Sequence, residues 1–269
     1  MPDGTTQPGP AGLLQDKVVV VAGTGPGLGR AIALRSAMAG ADVVLAARTA
    51  SRLADIAKEV AALGRRAAAI PADVTDDAAA ASLAEAATGA FGRVDALVYN
   101  ALAMPPIARL AAVDLAAVRA GLDDNAVAAL RLTRLLTPAL AATGGSVVMI
   151  NSMVVRYSQP AFGPYKMAKA AMLALAQTLA AELGPDGIRV NSVAPGHIWG
   201  PSLRWYYGYL GQRRGVSAEQ IYDETAAGLD LRRLPEPDEI ADAVVFLASP
   251  LARAVTGQCL DVNCGDYHH

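Results

Sequence analysis

The chain has 269 residues and a net charge of −2 with both signs interspersed, so it offers no charged face to nucleic acid or to an anionic membrane surface. Hydrophobic residues make up 53% of it, yet the longest apolar run, 32–47, is broken by Arg35, Gly40 and Asp42, which argues against a membrane span. This length holds one large α/β domain or two small ones.

Residues 1–12 are rich in Pro, Gly and Thr and lack the basic start and apolar stretch of a signal peptide; residues 1–13 read as a flexible tail, and the protein as cytoplasmic. The first predicted strand, 17–22, contains Val18-Val19-Val20-Val21, a β-branched run suited to a buried parallel strand. It leads into Gly23-Thr24-Gly25-Pro26-Gly27-Leu28-Gly29 and then a helical stretch, 30–39. Glycines at such a junction permit a tight turn and let backbone N–H groups approach a pyrophosphate at the helix N-terminus. A second strand, Asp42–Ala47, closes a unit with the organisation of a dinucleotide site.

An NAD site usually carries a carboxylate at the end of that second strand. Here Ala47 is followed by Arg48, Thr49 and then Arg52, so no carboxylate is expected to repel a phosphate. Arg48 either presents its planar guanidinium to a 2′-phosphate or caps the strand end in water. The first reading favours NADP(H) over NAD(H).

Further strands are predicted at 66–70, 96–99, 146–151, 189–193 and 258–262, with helices at 78–91, 115–140, 164–183 and 237–247. Asp76 and Asp77 supply capping residues ahead of the first of these helices. Alternating strands and helices predict a single doubly wound parallel sheet of about seven strands, a Rossmann fold with helices on both faces. Ligands bind such a sheet beyond the carboxyl ends of its strands, where the Gly23 loop, Arg48, Asp73, Asn100, Ser152 and Pro195 all fall. Cys259 and Cys264 lie five apart around the last strand; side chains at that spacing point to opposite faces, so no disulfide is expected.

Tyr165 and Lys169 share a helical face one turn apart, with Ser152 thirteen residues upstream of the tyrosine. A phenol with an ordinary pKa of about 10 is a poor acid or base at neutral pH, and a nearby ammonium is expected to lower it. Ser152 offers a hydroxyl to a substrate oxygen.

Taken together, these segments resemble the short-chain dehydrogenase/reductase family from about Leu14 to Gly265. The glycine segment matches that family's T-G-x-x-x-G-x-G with Ala22 in place of threonine, and Asp73-Val74 its adenine-side acidic position. Tyr99-Asn100-Ala101-Leu102 looks like a degraded N-N-A-G, and Pro195-Gly196 matches the loop beside the nicotinamide. The resemblance implies a catalytic set of Asn125, Ser152, Tyr165 and Lys169, with Asn125 holding a water that links Lys169 to solvent. It implies a cofactor site of Gly23, Gly25, Pro26, Gly27, Leu28, Gly29, Arg48, Thr49, Asp73, Val74, Asn100, Ala101, Tyr165, Lys169, Pro195, Gly196 and Ile198. No metal ligand is expected. Ile198, Trp199 and Gly200 stand where the family has a threonine against the nicotinamide carboxamide, and Val262-Asn263-Cys264-Gly265 departs from its V-D-G-G.

Six of the chain's thirteen aromatic residues fall within the segment 196–234. In the family this insert forms a substrate lid, here about 197–234, so His197, Trp199, Trp205 and Tyr206 join Ser152 and Tyr165 as expected substrate contacts. The alternative is that the rings form a subunit contact. The expected activity is interconversion of a ketone and a secondary alcohol on a fairly large apolar substrate of ketoacyl, polyketide, steroid or terpenoid type. An NAD-dependent alcohol dehydrogenase of the same mechanism is the alternative, and a cofactor-binding scaffold or sensor the non-enzymatic rival. The helices at 115–140 and 164–183 carry more apolar surface than one packed stripe needs, and the family implies a homotetramer, with a dimer as fallback.

Overall fold

The computed structural model describes residues 12–268; residues 1–11, most of the expected tail, and His269 lie outside the described residues. Seven strands form one parallel sheet in the order β3-β2-β1-β4-β5-β6-β7. They are β1 Val18–Ala22, β2 Asp42–Ala47, β3 Ala67–Pro71, β4 Ala96–Tyr99, β5 Ser146–Ile150, β6 Arg189–Pro195 and β7 Cys259–Val262. The valine run of β1 is buried along its whole length, as its central place in the sheet requires.

Helices α1 (Leu28–Met38), α2 (Ala50–Ala62), α3 (Asp77–Phe91), α4 (Leu115–Leu122), α5 (Ala128–Ala141), α6 (Gly163–Leu183), α7 (Pro201–Arg214), α8 (Ala218–Ala226) and α9 (Pro237–Ala248) connect them. One core lies between the sheet and α1, α2 and α9, and includes Ile32, Leu53 and Val244. The other lies beneath α3, α5 and α6, and includes Leu83, Leu132 and Met172. Across α1 and α9, buried Arg35 donates to both carboxylate oxygens of Asp242 at 2.6 Å. Asp76 caps α3 by accepting from the Ala79 N–H at 2.8 Å.

Two expectations change here. The helix predicted at 115–140 is divided by a π-helical turn, Asp123–Val127. Within it the Asn125 amide donates to the Gly121 and Ala103 carbonyls, both at 2.8 Å, and so competes with the regular helical ladder. The second concerns the segment beyond β6. Its aromatics build a small core of their own, where Tyr207, Ile221, Leu229 and Leu234 are buried against Trp199, Leu210 and Tyr222. Among the described residues no helix is long and apolar enough to cross a membrane.

Candidate active site

The sheet order reverses direction between β1 and β4, and the two loops leaving these strands open a cleft. At its root the Asn100 amide donates to the Gly23 carbonyl at 2.7 Å. Gly23 has φ +95°, and a Cβ there would stand 2.6 Å from the Asn100 carbonyl carbon. A Cβ on Gly29 would come within 2.8 Å of Thr24 Cα, so helix and turn meet only because both residues lack side chains. Gly25 by contrast faces open space. Helix α1 begins with no side-chain cap and no acidic residue in its first turn, leaving positive partial charge directed at that space. An uncapped helix start beside open room fits a dinucleotide pyrophosphate.

The cleft has a volume of about 580 Å³. Its wall contains every residue expected to hold the cofactor, from Gly23, Gly25, Pro26, Gly27, Leu28 and Gly29 through Arg48, Thr49, Asp73, Val74, Asn100 and Ala101 to Pro195, Gly196 and Ile198. Ser152, Tyr165 and Lys169 line it as well. Arg52, Asp124 and the residues Pro201, Ser202 and Leu203 at the start of α7 are also part of the wall. Arg52 was visible as a second cation after β2, but nothing in sequence spacing placed Asp124 or the α7 start beside the cofactor loops.

Ser152 follows β5, and its Oγ accepts from the Val154 N–H at 3.2 Å and shares a hydrogen bond with the Tyr165 phenol. Burial raises the Tyr165 pKa, with the Ser152 bond opposing it. This reverses the expectation that Lys169 lowers it. The Lys169 ammonium is turned to the backbone, donating to the Ile150 carbonyl at 2.8 Å, and its own burial lowers its pKa to about 8. Desolvation disfavours phenolate and ammonium alike, and it is the largest influence on both groups.

Asn125 is fully buried and stands outside the cleft lining, its Oδ1 without a hydrogen-bond partner among the described residues. His197 is exposed and outside the lining too. Trp199 sits in the small core beyond β6, 4.7 Å from the Tyr222 ring, with the Arg204 guanidinium over the Trp199 ring at 4.5 Å. Trp205 is 72% and Tyr206 39% exposed, and neither lines the cleft. The physical reason is helical phase: α7 turns Tyr207 and Gly211 to the small core beyond β6 and Trp205 to solvent, so only its first turn reaches the cleft. Tyr99, the last residue of β4, is fully buried in the core beneath α3, α5 and α6.

Apolar surface beside the cleft continues from Leu102 into a segment, 103–110, that sequence reading passed over. Leu102 lines the cleft, and Met104, Ile107 and Leu110 are more than half exposed on the loop after β4. That loop is tied to the start of α6, where the Ala108 N–H donates to the Ala161 carbonyl at 2.9 Å and Leu110 packs over Gly163. Alternating β and α elements conceal such a wall, since a long irregular loop carries no periodicity.

A family model described as enoyl-(acyl carrier protein) reductase matches residues 22–267. The chain is a short-chain dehydrogenase/reductase. An uncharacterized oxidoreductase of Mycobacterium tuberculosis is 39% identical over 256 residues, covering 94% of this chain and 92% of the relative. A solved 7 alpha-hydroxysteroid dehydrogenase in complex with NADH and 7-oxo glycochenodeoxycholic acid is 32% identical, with a TM-score of 0.85 over 94% of this chain and 96% of that one. L-Sorbose reductase from Gluconobacter frateurii, complexed with NADPH and L-sorbose, is 29% identical with a TM-score of 0.87, covering 94% and 97%. This short-chain dehydrogenase/reductase is thus an oxidoreductase of a family whose solved members hold a nicotinamide cofactor in either form.

The expectation about carboxylates near the 2′-phosphate position changes in this setting. Asp73, brought over from the loop after β3, places Oδ2 4.0 Å from Arg48 Nη1. Its pKa is lowered chiefly by hydrogen bonds from Thr75, so it stays ionised. Arg48 is 81% exposed, and so weakly held by this contact that its guanidinium is free to move.

Proposed function

We propose that this enzyme is an NADP(H)-dependent carbonyl reductase/alcohol dehydrogenase acting on a fairly large apolar ketone or secondary alcohol. The observation that carries the reading is the meeting of Ser152, Tyr165 and Lys169 on one wall of the cleft that the glycine loop opens. When bound, the nicotinamide supplies hydride to a carbonyl carbon or takes it from an alcohol. Tyr165 holds the proton to be delivered to the carbonyl oxygen, and its raised pKa keeps the phenol protonated at neutral pH. The Ser152 hydroxyl, already bonded to that phenol, turns to the substrate oxygen and stabilises its developing charge. Lys169, released from the Ile150 carbonyl, would bind the nicotinamide ribose and stabilises the Tyr165 phenolate left by proton transfer until a proton returns to it. Asn125, fixed in the π-helical turn, holds a water that passes protons between solvent and Lys169; its unpartnered Oδ1 supports this part. Leu102 on the cleft wall, continued by exposed Met104, Ile107 and Leu110 on the same loop, supports an apolar substrate of ketoacyl, polyketide, steroid or terpenoid type. Screening ketones and alcohols with both cofactors tests the reading; no turnover on any apolar ketone would overturn it.

Cofactor preference rests on Arg48 and Arg52, both on the cleft wall, and on Ala47 at the end of β2. Arg48→Ala is expected to weaken NADPH binding by about 10- to 100-fold, since a charge-assisted contact contributes roughly 1.5–3 kcal/mol, and to leave NADH almost untouched. Titration of both cofactors against both proteins checks this, and equal losses would count against the assignment.

Assembly as a homotetramer, with a dimer as fallback, is supported by apolar side chains left outside both cores. Val127 and Leu135 are exposed on one helical layer, and Met167 on α6 beside exposed Ala170 and Ala174. Light scattering during gel filtration at micromolar concentration is expected to give a multiple of 27.6 kDa; a stable, active monomer would refute the assembly.

A further inference from the structure

Helix α7 has a solvent face that neither the cleft nor the small core beyond β6 uses. Ser202 lines the cleft, and along the same side of the helix stand Trp205, Tyr209 and Arg213, all exposed. The Trp205 and Tyr209 rings lie parallel, 7° apart in plane with centroids 6.1 Å apart. The Arg213 guanidinium carbon is 5.9 Å from the Tyr209 centroid, and its Nη1 donates to the Tyr209 hydroxyl at 3.4 Å. Neighbouring cations are engaged elsewhere: Arg204 lies over Trp199 and 3.8 Å from Glu236, and Arg214 pairs with Glu224 at 2.8 Å. Among the described residues no carboxylate lies within 4.0 Å of Arg213.

Two parallel exposed rings ending in an uncompensated cation complement a planar base joined to phosphate. The ligand must also reach the chemistry. From Ser202 to Arg213 the helix rises roughly 16 Å at about 1.5 Å per residue, so a flexible arm has to join the anionic end to a carbonyl at Tyr165.

We propose that this face binds the nucleotide end of a coenzyme A thioester, so that the substrate is an acyl chain bearing the reducible ketone. The adenine stacks on Trp205 and Tyr209, the phosphates meet Arg213, and the pantetheine arm runs along α7 past Ser202 into the cleft. The inference rests on the carbonyl-reductase reading of the cleft, and names the substrate class for it.

The test is calorimetric titration of coenzyme A into protein whose dinucleotide cleft is already saturated with NADP⁺. One site per chain is expected, with Kd below about 1 mM. Trp205→Ala and Arg213→Ala should each weaken it by about 10-fold or more, Trp205→Phe should retain it, and pantetheine without the nucleotide should bind far more weakly than coenzyme A. Absence of binding by the wild-type protein, or affinity unmoved in both alanine variants, would overturn the proposal. Dissociation of the Trp205→Ala variant to a smaller species in light scattering would assign the face to a second copy, and likewise overturn it. Binding does not depend on turnover. If coenzyme A fails to bind while free ketones are still reduced, only this inference falls; if no ketone is reduced at all, the cleft reading falls with it.

Discussion

Tyr165→Phe is expected to lower turnover by at least about 100-fold, the usual scale of a positioned proton donor. The substitution keeps the ring in its place at the start of α6 and removes only the hydroxyl, so cofactor affinity should change little. Two features make the loss large. The phenol shares its hydrogen bond with Ser152, the group poised to hold the substrate oxygen, and burial keeps it protonated. No other acid of the cleft wall is tied to Ser152 in this way: Asp73 is engaged with Thr75 and Arg48 on the adenine side. Steady-state rates and cofactor titration on the same preparation separate chemistry from binding. Turnover like that of the wild type would end the proposed mechanism.

Lys169→Met is expected to lower turnover on a similar scale and, unusually for a core substitution, to stabilise the fold. Lys169 is 2% exposed, and burial lowers its pKa from 10.5 to about 8. A base whose folded pKa is depressed binds its proton less tightly in the native state than in the unfolded chain. Folding therefore bears the full cost below about pH 8, and the cost fades as pH rises towards 10.5. At about 1.36 kcal/mol per unit the cost is about 3 kcal/mol. Methionine removes it but deprives the Ile150 carbonyl of a donor, a loss of about 1 kcal/mol. A net gain of about 2 kcal/mol at pH 7 is the expected result, shrinking as unfolding in urea is repeated at higher pH. A variant that is less stable at pH 7, or a difference independent of pH, would show that the ammonium is better solvated than its burial implies.

Most of the sheet was legible because its strands carry their own pattern. The Val18–Ala22 run can be satisfied only by burial on both faces, and each glycine or capping residue that follows a strand marks where the chain leaves the sheet. The cofactor loops were legible for the same reason, since they sit at strand ends and the alternation of elements dictates that all those ends share one edge. The spacing of Tyr165 and Lys169 on one helix likewise needs only local geometry.

What the sequence left open depends on contacts between distant segments. Which rings of 197–234 face the cleft turned on how α7 packs against α8: their shared core takes Tyr207, Trp199 and Tyr222, and helical phase then leaves Trp205 and Tyr209 in water. The break in the helix at Asp123–Val127 turned on the Ala103 carbonyl, supplied by a loop from another strand. The position of Asp73 beside Arg48 turned on the pairing of β2 with β3. The charge states of Tyr165 and Lys169 turned on how far packing excludes water, because a pKa responds to the whole surroundings of a group. By itself the sequence determined the doubly wound sheet, the edge at which ligands bind and the residue types assembled there, since these follow from local periodicity and chain order. Only the tertiary structure decided which side chains enter the cleft, which carry charge and which remain exposed on α7, since these depend on solvent exclusion and on partners far away along the chain.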